Sequence, residues 1–123
     1  MSNHTRSQKL AQAAYSQIAI HTNNGRKKPN KEFVSTVKKF PALIHTCGLA
    51  QAVAFALAKK DDEYIGYLAA VLNAAGHTEL NDCNALDHHS RTNELSVYLR
   101  LSRDAINAAS WLKRYVEAAG EEE

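Results

Sequence analysis

Apolar residues spaced three or four positions apart recur along almost the whole chain of 123 residues, and this spacing is the strongest constraint on its fold. It places the apolar side chains of a segment on one face of a helix. No segment alternates apolar and polar residues for long, and the β-branched residues are scattered, so no strand is predicted. The sequence predicts an all-α fold: a compact bundle of five to six amphipathic helices, in a single helical domain over residues 1–123.

The first three helices can be placed by their apolar faces and their ends. The first runs from about Thr5 to His21, and a basic loop over residues 23–30 follows it. Asn30 is of the residue type that caps a helix, and Pro41 is expected to bend or restart the helix that Asn30 begins. The predicted core-facing residues of these three helices are Leu10, Ala14, Ile18, Phe33, Val37, Phe40, Ile44, Leu49, Val53, Ala56 and Leu57.

The second half of the chain is predicted to hold two further long helices. One begins at the acidic residues 61–63 and ends at Gly76, and the last runs from about Asn93 to Ala119 and ends at Gly120. Residues 77–92 lack periodicity and are interpreted as an irregular loop with room for one short helix, and residues 120–123 as a frayed acidic tail. The predicted core-facing residues are Tyr64, Leu68, Val71, Leu72, Ala75, Leu95, Leu99, Ile106, Ala109, Leu112 and Val116.

Nineteen residues from Phe40 to Ala58 carry no formal charge, which is about the length of a short membrane span. The stretch is rich in alanine and interrupted by polar residues, so we interpret it as two core helices that meet at Cys47 and Gly48, with Cys47 as a small buried apolar group. The N-terminus has no apolar segment typical of a secretory signal, and two cysteines are too few for a disulfide framework. A cytoplasmic protein with free thiols is expected.

Charge is distributed unevenly along the chain. Residues 1–60 contain ten lysines and arginines and one acid, whereas residues 61–99 contain one arginine and seven acids. This asymmetry is compatible with a basic face that meets phosphate and an acidic face that meets a basic neighbour, and equally with ordinary solvated helix surfaces.

The residues that could support catalysis or metal binding do not form a recognisable site. Paired ligands at the short spacing typical of zinc sites are missing, and the Asp-His-His tripeptide of a phosphoesterase superfamily lacks the further aspartate motifs of those enzymes. His45 and Cys47 are two residues apart in one helix and point in different directions. No glycine-rich or dinucleotide-binding motif occurs, so no catalytic residue, metal or cofactor is expected, and a small metal-dependent phosphoesterase stays as an alternative. The residues of that alternative are His77, Cys83, Asp87, His88 and His89.

The last predicted helix carries a row of hydrogen-bond donors on one face, which we call the arginine ladder. Arginine side chains suit phosphate oxygens, and the spacing follows several nucleotides of backbone. The alternative is a solvated face with intrahelical ion pairs, such as Arg100 with Asp104. Trp111 and Tyr115, four residues apart, either stack on bases or belong to the core. The ladder consists of Arg100, Arg103, Asn107, Ser110 and Arg114, and further candidate RNA-contacting residues are Arg26, Lys27, Lys28, Lys31, Lys38 and Lys39.

Two segments together resemble the small helical subunit of the type III-B CRISPR effector, the Cmr complex. The first is FPALIHTCGLAQAVAFALAK, with Pro41 to Ile44 before the Gly-Leu-Ala-Gln-Ala block and Phe55. The second is YLRLSRDAINAASWLKRYVEA, with the Tyr98 to Arg103 and Trp111 to Tyr115 blocks. The small subunit of the related type III-A complex is the nearest alternative, and the Gly-Leu-Ala-Gln-Ala block favours type III-B.

The resemblance implies a non-catalytic building block of an RNA-guided antiviral complex. Several copies are expected to stack head to tail as a minor filament along the guide RNA–target RNA duplex, against the larger subunits. From the charge distribution, the acidic residues Asp61, Asp62 and Glu63 are the candidate contact to a basic neighbouring copy.

Overall fold

The computed structural model describes residues 5–121 and contains six helices and no strand in that part of the chain. The predicted all-α fold is confirmed. The helices are α1 (Arg6–His21), α2 (Lys31–Cys47), α3 (Leu49–Ala58), α4 (Asp62–Ala74), α5 (Cys83–Thr92) and α6 (Leu95–Ala119).

Side chains of the expected type begin three of these helices. The hydroxyl of Thr5 accepts from the Gln8 amide at 3.1 Å, and the Gln8 side chain accepts from the Thr5 amide at 2.8 Å. Asn30 begins α2 as predicted, with its Oδ1 accepting from the Phe33 amide at 2.8 Å. Asp82 caps α5 in the same way. Local sequence thus determines where α1, α2 and α5 start.

Gly48 separates α2 from α3, as predicted, whereas α2 continues through Pro41 without restarting. Gly48 has φ +85° and ψ 160°, a conformation essentially restricted to glycine. A β-carbon there would lie 3.4 Å from the hydroxyl of Tyr98, which accepts a hydrogen bond from the Ala50 amide at 3.2 Å. The turn therefore joins the start of α3 to the start of α6.

The core lies between α6 and the helices that pack on it, which are α1, α2, α4 and α5. The predicted core-facing residues of the first four helices are buried, except for the half-buried Leu57. Tyr64 is fully buried, with its ring edge-on to Phe40 at 5.1 Å, and burial raises the pKa of its hydroxyl.

Two sequence-based expectations about burial are wrong. Leu95 and Leu99 are 71% and 57% exposed, because the buried stripe of α6 begins only at Leu101. Cys47, the last residue of α2, is exposed rather than buried.

Residues 77–92, interpreted as an irregular loop with room for one short helix, contain one short helix, α5. This helix buries Leu86 and Ser90 at helical spacing.

No helix within residues 5–121 is long and apolar enough to cross a membrane. The uncharged stretch from Phe40 to Ala58 is divided between α2 and α3, as predicted. Of the predicted frayed tail, residues 122 and 123 lie outside the described part of the chain.

Candidate nucleic-acid interface

The arginine ladder lies on the face of α6 that points away from the core. Residues Leu101, Ala108 and Leu112 form part of the buried face, and the ladder occupies the opposite side of the helix. From Arg100 to Arg114 the helix rises by about 21 Å at 1.5 Å per residue. All members of the ladder are exposed except Ser110, which is half-buried.

The ladder carries no carboxylate partner in the part of the chain that the structure describes. None of its three arginines forms an ion pair within residues 5–121. The alternative pair of Arg100 with Asp104 does not form, because Asp104 is fully buried and turned toward the core. Glu117, the other acid within α6, lies beyond the last arginine of the ladder. The guanidinium groups are therefore free to meet external anions.

Asp104 is held inside by two residues that are distant in sequence. Its Oδ2 accepts from His77 Nε2 at 2.8 Å and lies 3.3 Å from Arg6 Nη2. The other amino group of Arg6 donates to the carbonyl oxygen of Ala75 at 2.9 Å. This cluster, which we call the Asp104 cluster, links α1, the end of α4 and α6. Sequence reasoning missed it, and considered His77 only as a ligand in the metal-dependent alternative.

Three aromatic side chains, Trp111, Tyr115 and Tyr15, lie next to the C-terminal end of the ladder. The guanidinium carbon of Arg114 lies 5.5 Å from the centre of the Trp111 ring, a cation–π distance. The ring of Trp111 stacks on that of Tyr115, with 5.9 Å between the ring centres. The ring of Tyr15 of α1 meets that of Tyr115 edge-on, with 5.5 Å between the centres. Trp111 and Tyr115 are half-buried and pack against the core. Their packing role is thus shown, and stacking on bases stays a prediction.

The basic loop lies beside the end of α6. Arg26, Lys27 and Lys28 are exposed, and the ammonium group of Lys28 lies 3.9 Å from where a β-carbon on Gly120 would stand. A lysine at this end suits the negative pole of the helix dipole. The loop therefore extends the positive charge of the ladder past Arg114.

The lysines of α2 are placed differently. Lys31, Lys38 and Lys39 are exposed, but Lys39 lines a groove between α2 and α3 together with Lys59. Lys39 therefore belongs to the groove between α2 and α3, and its contact with RNA stays a prediction.

The residues of the metal-dependent alternative do not form one site. His77 belongs to the Asp104 cluster, and Asp87 pairs with Arg91 at 3.3 Å. Burial raises the pKa of the Cys83 thiol, with a further contribution from nearby acids. In the described part of the chain, no three His, Cys, Asp or Glu side chains are grouped so that they could hold a metal ion.

The acidic residues proposed for self-assembly mostly have partners within the chain. Asp61 accepts from the hydroxyl of Thr36 at 3.1 Å. Glu63 accepts from the hydroxyl of Tyr67 at 3.3 Å, and burial raises the pKa of Tyr67 to about 12. Asp62 is exposed in the first turn of α4. Two of the three acids thus contribute to the local structure of α2 and α4.

Comparison with known proteins identifies the fold and the family together. The family model described as "CRISPR-associated protein (Cas_Cmr5)" matches residues 6–119. The chain belongs to the Cmr5 family. The "CRISPR system Cmr subunit Cmr5" of Thermus thermophilus is 31% identical over 118 residues, which cover 96% of this chain and 98% of the relative. The crystal structure of a CRISPR-associated Cmr5 family protein, also from Thermus thermophilus, is 32% identical and superposes with a TM-score of 0.80. That superposition covers 97% of this chain and 100% of the other.

Membership of the Cmr5 family confirms the resemblance to the small subunit of the type III-B Cmr complex. It also decides between the two CRISPR alternatives, since the match is to the Cmr family rather than to the small subunit of type III-A. Cmr5 is a family of structural CRISPR subunits, and the setting of this chain is a multi-subunit Cmr effector complex.

Proposed function

We propose that this Cmr5 family chain is a non-catalytic structural subunit that contacts RNA through the arginine ladder. Several copies stack head to tail as a minor filament along the guide RNA–target RNA duplex, in a cytoplasmic complex that serves antiviral defence. Cutting of the target RNA belongs to other subunits. The observation that carries the proposal is the row of exposed arginines on α6, which have no ion-pair partner within residues 5–121.

The proposed contact is with the phosphate backbone rather than with bases. A guanidinium group offers several donors in a fixed plane and matches phosphate oxygens without reading sequence. Arg100, Arg103 and Arg114 repeat this group over about 21 Å of helix. A structural subunit of an RNA-guided complex has to bind guides of any sequence, and phosphate contacts allow this.

The basic loop is proposed to add to the same contact. Arg26, Lys27 and Lys28 lie where α6 ends, so that a backbone following the ladder passes them next. Each contact is weak alone, and repetition over several copies raises the overall affinity. Detectable binding is therefore expected of the assembled complex more than of the isolated chain.

The test replaces two arginines in every copy of the assembled complex. We expect Arg103→Ala with Arg114→Ala to weaken RNA binding. The negative slope of the logarithm of the binding constant against the logarithm of the salt concentration should become shallower by about two units per copy, because each lost phosphate contact removes roughly one unit. A matched control with the same loss of charge is Lys9→Ala with Arg91→Ala, because Lys9 is exposed on α1 and Arg91 is paired with Asp87.

Equal salt slopes for the ladder variant and the control would contradict the role of the ladder. Thermal unfolding of both variants is measured alongside, because all four residues are exposed and their replacement should leave the fold intact.

A further inference from the structure

A groove of about 410 Å³ lies between α2 and α3, on a surface that the proposed RNA contact does not use. Its floor and walls are largely apolar, and Phe55 is 54% exposed at its edge. Lys39 and Lys59 stand at the groove, and the ammonium group of Lys59 lies 5.4 Å from the centre of the Phe55 ring. An apolar groove with basic residues at its edge suits an apolar helix face that carries an acid.

The same chain exposes a helix face of that kind. Leu95 and Leu99, one turn apart at the start of α6, are 71% and 57% exposed, and Glu94 is the exposed residue that precedes them. Large apolar side chains at i and i+4 are the anchors with which a helix binds a groove. No residue lining the groove comes from α6, so the chain does not fill its own groove.

We propose that Leu95 and Leu99 of one copy insert into the α2–α3 groove of the next copy. Glu94 then meets the basic edge of the groove formed by Lys39 and Lys59. This inference rests on the proposed stacking of copies and specifies the two surfaces that touch.

The contact joins two different surfaces of the chain. In the proposed head-to-tail stacking, each copy uses its leucines on one neighbour and offers its groove to the other. Such a heterologous contact extends as a row of copies when the rotation between them does not close a ring. It differs from the contact first expected for the acidic residues, since Asp61 at the groove is already bonded to Thr36.

The docking surface is compatible with the RNA contact on the same helix. Arg100, the first residue of the ladder, directly follows Leu99. A copy anchored by the start of α6 therefore brings its ladder next to the preceding copy.

The test is cross-linking between two single-cysteine variants in the assembled complex. In a background with Cys47→Ser and Cys83→Ala, one population carries Ala42→Cys in the groove and the other carries Leu95→Cys, with tags of different size. Ala42 and Leu95 are both exposed, so neither change disturbs the core. We expect a short bismaleimide to produce a mixed dimer when both populations are present, and no dimer from either alone.

Gln12→Cys on α1 replaces Leu95→Cys as the matched control, because Gln12 is also exposed and should give no cross-link to the groove. The number of copies per complex is measured by native mass spectrometry. Several copies without the mixed cross-link would overturn the docking site and leave stacking intact, whereas a single copy per complex would overturn stacking itself. A dimer from Leu95→Cys alone, or a cross-link of Ala42→Cys to another subunit, would also overturn the docking site.

A second variant tests the same contact without cross-linking. Leu95→Ser with Leu99→Ser should leave the melting temperature of the isolated chain nearly unchanged, because both side chains are largely exposed. We expect the number of copies per complex to fall to one. An unchanged copy number would refute the docking of these leucines.

Discussion

Replacing His77 by alanine is the sharpest test of how α6 is held in place. His77 Nε2 and Asp104 Oδ2 are 2.8 Å apart, with side chains that are 10% and 1% exposed. After His77→Ala the buried carboxylate keeps only Arg6, at 3.3 Å and with a side chain that is 45% exposed. Oδ1 of Asp104 is buried without a hydrogen-bond partner in the described structure, so it offers no compensation.

The expected loss in the free energy of unfolding arises because Asp104 stays buried after its partner His77 is removed. Leaving a buried polar group without its hydrogen-bond partner costs about 1–3 kcal/mol, and more when the group is charged. Because the group left behind is a carboxylate that Arg6 still reaches, we expect a loss of about 3 kcal/mol. For a chain of this length that lowers the melting temperature by about 12 °C, at roughly 4 °C per kcal/mol. Asp104→Asn keeps the shape and one acceptor, so it should cost less, about 1–2 kcal/mol.

The assay is chemical and thermal unfolding of the isolated chain, followed by circular dichroism. Arg91→Ala is the control, because it breaks an exposed pair on α5 that is worth only about 0.3–0.5 kcal/mol. A loss below about 1 kcal/mol for His77→Ala would refute the reasoning, since the buried contact would then contribute no more than an exposed one.

Two further predictions concern titratable side chains. Burial lowers the pKa of His21 despite the opposing charge of Glu63, so its contribution to stability should be full above about pH 6.5 and be lost as the pH falls below that value. His21→Gln should flatten this part of the profile of melting temperature against pH, and an equal acid-side decline in both proteins would contradict the assignment. Iodoacetamide at mildly alkaline pH should alkylate the exposed Cys47 before Cys83, whose pKa is raised by burial, as read by mass spectrometry of peptides, and the reverse order would contradict the burial of Cys83.

The first four helices could be predicted because their apolar faces are wide and their ends carry local signals. Asn30 and Gly48 act through their own side chain or backbone, so short sequence windows contain the necessary information. α5 was harder to predict, because it buries only Leu86 and Ser90. One apolar and one polar residue do not form the repeated apolar spacing from which a helix is predicted.

The Asp104 cluster could not be predicted in the same way. His77 is 27 residues from Asp104 in the sequence, and Arg6 is 69 residues from Ala75. Only the packing of α1 and α4 on α6 brings these residues together. A partial signal was available, because Asp104 lies three residues after Leu101 and four before Ala108, which places it on the buried face. That position excludes a pair with Arg100 and leaves the ladder without a carboxylate between its arginines.

Leu95 and Leu99 are a case in which apolar spacing predicts burial that the structure does not have. They continue the apolar spacing of α6, yet the core ends at Leu101 and leaves them exposed. A sequence pattern indicates which residues share a face, and it does not indicate whether the chain itself or a neighbouring molecule covers that face.

The most direct test of the proposed RNA contact is ultraviolet cross-linking of the native complex. The tagged chain is recovered gently from its own cells, irradiated with its bound RNA, digested, and the RNA-linked peptides are identified by mass spectrometry. The account predicts linked peptides from α6, centred on residues 100–115, together with the basic loop over residues 23–30. RNA-linked peptides confined to other surfaces, or complexes that carry RNA without any link to α6, would contradict it.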